Sequence, residues 1–184
     1  MGSIGNTSYQ SIQHKLDTLK KIMINYGIST KGLIQVNINW IKIPIKDHTY
    51  NITDGWFKTR RISTGYNHIT NSNKLFQSGG TYIMVVDEVS YRAIEIGKYF
   101  RNLSWWSWML LRRKNNVRTI IVTAYCHTVS DNAGGAYSQQ IEAFKIMEIQ
   151  NNPRTQFWID LNTEIAKYIN QGEHLLLMGD CNSE

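Results

Sequence analysis

Proline is nearly missing from this chain, with two residues in 184. Cysteine is equally scarce, represented by Cys126 and Cys181 alone. So few cysteines exclude a disulfide-built scaffold. The two fall at the ends of different expected strands and read as free thiols in a reducing compartment. No apolar run approaches the roughly 18 residues that cross a bilayer. Residues 1–20 lack the apolar centre of a secretion signal. An intracellular location, cytoplasmic or nuclear and not secreted, is therefore expected. Without secretion, the glycosylation sequons at Asn6, Asn51 and Asn102 carry no weight. Met1-Gly2-Ser3 opens like a myristoylation signal, but Asn6 stands where Ser or Thr is needed. Neither Cys-x-x-Cys nor His-Glu-x-x-His spacing occurs, and no Walker-type phosphate loop is present. Acidic residues are outnumbered by basic ones, 14 to 20, leaving a net charge of +6. That sign favours an anionic partner, of which nucleic acid is the commonest.

What is present is a chain that can build one real core. Hydrophobic residues make up 42%, and there are ten Tyr and six Trp, which excludes a disordered chain. Ile12, Leu16, Leu19, Met23 and Tyr26 recur at helical spacing, and Gly27 ends the pattern. Alternation over Gly32–Asn39 predicts a strand. Residues 40–77, with Trp40, Pro44, Trp56 and Phe57, read as mostly loop with one short strand. Gly79-Gly80 introduces a strand over Thr81–Val86. Trp105–Leu111 and Val117–Tyr125 read as two strands joined by a turn in which Asn115-Asn116 accepts positive φ. Two helices follow. The first presents Tyr137, Ile141, Phe144 and Met147, and Asn151-Asn152-Pro153 breaks it. The second presents Phe157 or Trp158, Leu161, Ile165 and Tyr168, and Gly172 stops it. Leu175–Met178 predicts a buried final strand. This mixture predicts an α/β or α+β fold with helices covering a sheet.

The final strand delivers Asp180, Cys181 and Asn182 to its tip. Alternate strand residues share a side, so Asp180 and Asn182 can face one site. There an Asp orients water or binds metal, and an Asn amide donates to an oxygen gaining charge. The alternative is a polar turn satisfying its own backbone. Tyr125 ends its strand with a hydroxyl that either reaches a phosphate oxygen or is satisfied at the rim of the core. His127, just beyond it, reads as a solvated loop residue or a site residue. Gln35 is polar within an apolar run, and either faces solvent or needs a buried partner. The clusters Lys58, Arg60, Arg61 and Arg112, Arg113, Lys114 are solvated loops or nucleic-acid contacts. Arg112 and Arg113 are the candidate substrate contacts among them.

In this order the pieces resemble the endonuclease/exonuclease/phosphatase superfamily, which includes exonuclease III-like enzymes and LINE-type retrotransposon endonucleases. Gly32-Leu33-Ile34-Gln35-Val36-Asn37 resembles the strand ending in that family's Gln-Glu-Thr signature. Gly79-Gly80-Thr81 resembles its Gly-Gly-Val/Thr-Ala strand. Thr123-Ala124-Tyr125-Cys126-His127 resembles the strand ending in Tyr-x-Pro, and Leu175–Asn182 the strand ending in Gly-Asp-Phe-Asn. The resemblance implies a four-layer α/β sandwich, of which residues 1–184 would form a single, incomplete, N-terminal portion. It implies phosphodiester hydrolysis of nucleic acid, DNA more than RNA, with Mg²⁺ or Mn²⁺. Asp180 would orient the attacking water and touch the metal, Asn182 would hold the phosphate, and Tyr125 would contact it. Several departures are visible, among them His127 where the pattern has proline and no apolar strand bearing an Asn before the first helix. Gln35 stands where the family has a metal-binding Glu, and a neutral amide is a weak ligand for a hard cation. The late Ser-Asp-His motif does not occur before Glu184. A non-catalytic nucleic-acid-binding descendant is the alternative implied. A phosphatase for small molecules or lipid headgroups follows only from the superfamily's breadth.

Overall fold

The computed structural model describes residues 9–39, 51, 53–66, 77–101, 103–129 and 135–182. The readings made at Asn6, Trp40, Pro44 and Asn102 lie outside these residues. Helix α1 (Tyr9–Asn25) opens the order. Strands β1 (Thr30–Ile34), β2 (Arg60–Gly65) and β3 (Thr81–Val86) follow, then the short helix α2 (Asp87–Ser90). Strands β4 (Ala93–Lys98), β5 (Trp106–Arg112) and β6 (Arg118–Tyr125) lead to helices α3 (Ala136–Ile146) and α4 (Pro153–Ile169). Strand β7 (His174–Asp180) is the last element described.

Two sheets form. One has the order β1-β3-β2, all antiparallel; the other runs β4-β5-β6-β7. In the second sheet β7 lies parallel to β6, and the remaining pairs are antiparallel. The parallel pair needs a crossover, which α3 and α4 supply.

Period-two alternation builds the layers. Tyr82, Met84 and Val86 of β3 pack with Leu16, Leu19 and Met23 of α1. Ile83 and Val85, on the opposite face, meet Met109, Leu111 and Ile121 of the second sheet. Ile120, Val122 and Ala124 of β6 face away from that seam and join Trp105, Trp106, Phe144, Phe157 and Leu161. The result is helix, sheet, sheet, helix pair, as the four-layer expectation requires. One edge of the seam is tied by Ser63, whose hydroxyl donates to the Gly97 carbonyl at 2.6 Å.

Local chemistry explains the boundaries. Gly27 takes φ +60 just after α1, the conformation that ends helices at glycine. Asn115 and Asn116, at φ 63 and 60, turn β5 into β6. The Asn152 side chain accepts the Thr155 N–H at 2.9 Å and Pro153 takes the first helical position, which starts α4.

Several expectations are corrected. The strand over Gly32–Asn39 ends at Ile34, because Gln35 and Asn37 adopt φ of 50 and 54. Arg60 and Arg61 are not in a loop; they begin β2, where Arg60 pairs with Asp54 at 2.7 Å. β4 was not anticipated. α3 buries Gln140, Ala143 and Phe144, not the full stripe of Tyr137, Ile141, Phe144 and Met147. In α4 it is Phe157 that faces the core, while Trp158 is exposed. Leu175, Leu176 and Leu177 are 39%, 47% and 40% exposed, not buried. β7 is an edge strand with nothing on its outer side among the described residues. Both cysteines are free, Cys126 buried and Cys181 half-buried. No helix among the described residues is long and apolar enough to cross a membrane.

Candidate functional site

The parallel pairing of β6 and β7 puts their carboxyl ends at one edge. Tyr125 and Asp180 are direct partners in that register. Such an edge is where open α/β sheets place ligands. The third strand to arrive is β1. A Cβ at Gly32 would lie 2.5 Å from the Thr123 hydroxyl and 3.0 Å from the Met178 methyl. Glycine therefore lets β1 lie close across β6 and β7, and the chain leaving it brings Gln35 to Tyr125.

Gln35 Nε2 donates to the Tyr125 hydroxyl. Asp180 is near enough for its charge to act on the same phenol. Burial chiefly pushes the Tyr125 pKa up; the Gln35 bond opposes this, and Asp180 and Cys126 add to it. The phenol stays protonated at neutral pH, with its own proton to give. Asn182, at φ 41, folds back on the strand tip. Its backbone N–H donates to Asp180 Oδ1 at 3.1 Å, and its Nδ2 to the Cys126 carbonyl at 2.7 Å. Gln35, Tyr125, Asp180 and Asn182 are thus brought together. Arg112 and Arg113 are not. They flank the turn at the other end of the β5–β6 hairpin, where Arg112 pairs with Arg118. Seven residue steps separate Arg118 from Tyr125, roughly 23 Å of strand. Those arginines line a separate surface depression with Tyr91, Arg92 and Lys114.

A cavity of about 220 Å³ opens beside Tyr125, lined by Gln35, Asn37, His127, Gly135 and Tyr137 among others. His127 is no solvated loop residue. It is 6% exposed, its ring meets Tyr125 edge to face at 4.5 Å, and its Nε2 has no partner among the described residues. Burial lowers its pKa to about 3, so it is neutral at physiological pH. Its ring also fills the space beside Gly79, where a Cβ would sit 3.2 Å from Nε2.

Sequence reasoning missed Arg154. Its guanidinium donates to the Asn182 carbonyl and brings a positive charge to the strand tip. A signal existed: a cation in the first turn of α4 opposes the helix dipole, and such local violations mark functional positions.

The described residues of this edge do not by themselves fit a resident Mg²⁺ or Mn²⁺. A hard divalent cation takes oxygen ligands and favours carboxylates. Among the described residues this edge offers one carboxylate, Asp180, already accepting from Asn182. Gln35 offers an amide tied through its nitrogen to Tyr125. Among the described residues no three His, Cys, Asp or Glu side chains gather to hold a metal.

No family model and no curated protein matches the sequence. Solved structures do match. TDP2 from Caenorhabditis elegans superposes with a TM-score of 0.52 at 14% identity, over 100% of this chain and 47% of that one. The human Nocturnin catalytic domain with bound sulfate anion superposes with a TM-score of 0.53 at 10% identity, over 94% of this chain and 58% of that one. The chain has the endonuclease/exonuclease/phosphatase fold. It spans about half the length of the TDP2 chain it matches. At this identity the likeness establishes the architecture, mixed α/β with two sheets and four described helices.

Proposed function

We propose that this chain is a nucleic-acid-binding domain with the endonuclease/exonuclease/phosphatase fold that grips a phosphodiester at the β6–β7 edge and hydrolyses it poorly or not at all. Tyr125 donates its phenol proton to a phosphate oxygen, and Arg154 supplies positive charge beside it. Asn182 fixes the strand tip through the Cys126 carbonyl and offers its remaining amide N–H. The observation that carries this reading is the Gln35–Tyr125 hydrogen bond. It occupies the position where the resembled pattern has a metal-binding Glu, and it satisfies the amide without a cation. The net charge of +6 supports an anionic partner. DNA is proposed over RNA.

A second reading keeps hydrolysis. Asp180 stands next to Tyr125 in register, where a carboxylate can orient water toward a phosphate held by the phenol. The two readings separate in one pair of assays. Fluorescence anisotropy with labelled DNA and RNA oligonucleotides at graded salt should show binding that weakens as salt rises. Plasmid incubated with the chain and Mg²⁺ or Mn²⁺ should remain supercoiled. Metal-dependent nicking abolished by Asp180→Asn would establish the second reading. Absence of salt-dependent binding to either nucleic acid would remove both.

A further inference from the structure

Both cysteines of the sequence lie one residue beyond the site. Cys126 follows Tyr125 at the end of β6, and Cys181 follows Asp180 at the end of β7. Tyr125 and Asp180 are partners in the parallel register, so the next position sets Cys126 against Cys181. Hydrogen bonds carry the register that far. The Cys126 N–H donates to the Asp180 carbonyl at 3.0 Å, as a residue opposite Cys181 does in a parallel ladder. The matching bond would run from the Asn182 N–H to the Cys126 carbonyl. Asn182 turns away at φ 41, and its Nδ2 makes that bond instead, at 2.7 Å. Cys126 is therefore held opposite Cys181 from both sides.

The two side chains share one layer. Cys126 is buried among Trp105, Phe144 and Phe157, and Cys181 packs half-buried against the same cluster. Cys181 is near enough for its charge to act on the Cys126 thiol. Neighbouring strands lie about 4.8 Å apart. A disulfide takes a Cα separation of roughly 4.4–6.8 Å. Two thiols on one face at one register position meet that condition.

We propose that Cys126 and Cys181 form a reversible dithiol–disulfide pair that, when oxidised, staples the carboxyl ends of β6 and β7 directly beyond Tyr125 and Asp180. The oxidant is a low-molecular-weight disulfide such as glutathione disulfide. Cys181, the more exposed thiol, attacks it as the thiolate. The reagent's S–S bond breaks, a mixed disulfide forms on Cys181, and one glutathione thiolate leaves. Cys126, as the thiolate, then attacks the Cys181 sulfur and expels the second. The two protein sulfurs are oxidised, the two reagent sulfurs are reduced, and the two thiol protons end on glutathione. Burial pushes the Cys126 pKa up to about 11, and the Arg154 guanidinium beside it pulls the other way. The thiolate is scarce, so the exchange is slow. The link closes a loop through α3 and α4 and fixes the spacing of the phenol and the carboxylate. This goes beyond the proposed function and holds whether or not nucleic acid binds.

Peptide mapping of the whole, unaltered chain tests it. The chain is incubated with glutathione disulfide, alkylated in denaturant and digested. The expected product is a monomer lighter by two hydrogens, with one peptide pair joined through Cys126 and Cys181. Excess reduced glutathione should return both thiols to alkylation. Cys126→Ser should stop at a mixed disulfide on Cys181, and Cys181→Ser should leave Cys126 unmodified. Hydrogen exchange of the β7 backbone should slow about tenfold or more in the oxidised chain. Two alkylatable thiols after prolonged oxidation overturn the proposal. So does a separate glutathione on each cysteine, a link between two chains, or a Cys126–Cys181 bond that leaves the exchange of β7 unchanged.

Discussion

Acidification should destabilise this protein through one residue, His127. Its imidazole is 6% exposed, boxed between the Tyr125 ring and the Gly79 backbone, and its Nε2 has no partner among the described residues. Burial lowers its pKa from 6.5 to about 3. The unfolded chain therefore takes up a proton here that the folded chain refuses. Stability from this group is fully present above pH 6.5, and it is lost progressively as pH falls toward 3. Between pH 7 and pH 5 the loss is about 2 kcal/mol, from roughly 1.5 pKa units at 1.36 kcal/mol each. At a urea dependence of about 2 kcal/mol per molar, the unfolding midpoint should drop by about 1 M. Carboxylates and the other four histidines add slopes of their own, so the comparison must be with His127→Phe, which keeps a ring in place and cannot titrate. Urea melts followed by tryptophan fluorescence at pH 7 and pH 5 supply the four midpoints. His127→Phe should lose about 2 kcal/mol less than the natural chain on acidification. Equal losses would refute the reasoning, because the imidazole would then be as protonatable folded as unfolded.

Other predictions rest on separate features. Gln35→Glu adds a second carboxylate beside Asp180 and should tighten Mn²⁺ binding at least tenfold by electron paramagnetic resonance; no gain would mean the edge geometry does not suit a cation. Arg154→Ala removes the cation at the strand tip and should weaken oligonucleotide binding and flatten its salt dependence, read by anisotropy. Gly179→Ala drives a Cβ into the Ala124 backbone, at φ +152, and should destabilise by several kcal/mol in thermal melts. Phe157→Ala empties a fully buried ring site between Trp105 and Trp106 and should cost about 3–5 kcal/mol.

Some of this was written legibly. Asn115-Asn116 fixed the β5–β6 hairpin, since both residues tolerate the φ values the turn imposes. Asn152-Pro153 fixed the start of α4 by a cap and a missing donor. Tyr125, Asp180 and Asn182 could be singled out because each sits at a strand end where the apolar pattern breaks, and Gln35 because it is polar within an apolar run. The failures share a cause. β4 escaped because Glu95, Gly97 and Lys98 interrupt its pattern and Ile94 and Ile96 face outward; its place depends on pairing with β5. The buried face of α3 was missed because Gln140 goes inward, which periodicity of apolar residues does not reveal. The exposure of β7 depends on what lies beside it, and a run of leucines reads the same at an edge or in the middle of a sheet. The choice between a solvated and a site role for His127 stays open in the sequence because only tertiary packing against Gly79 and Tyr125 removes it from water.

The bond from Ser63 to the Gly97 carbonyl makes the sandwich behave like a bound book. Its spine lies along β2 and β4, stitched from one leaf to the other. Opening at the fore-edge, where β1 rests on β7, must break the Gln35–Tyr125 bond, and that fore-edge carries the aspartate and the phenol. Breathing of the leaves and access to those two groups are one motion, so hydrogen exchange in the backbone of β7 should report on both.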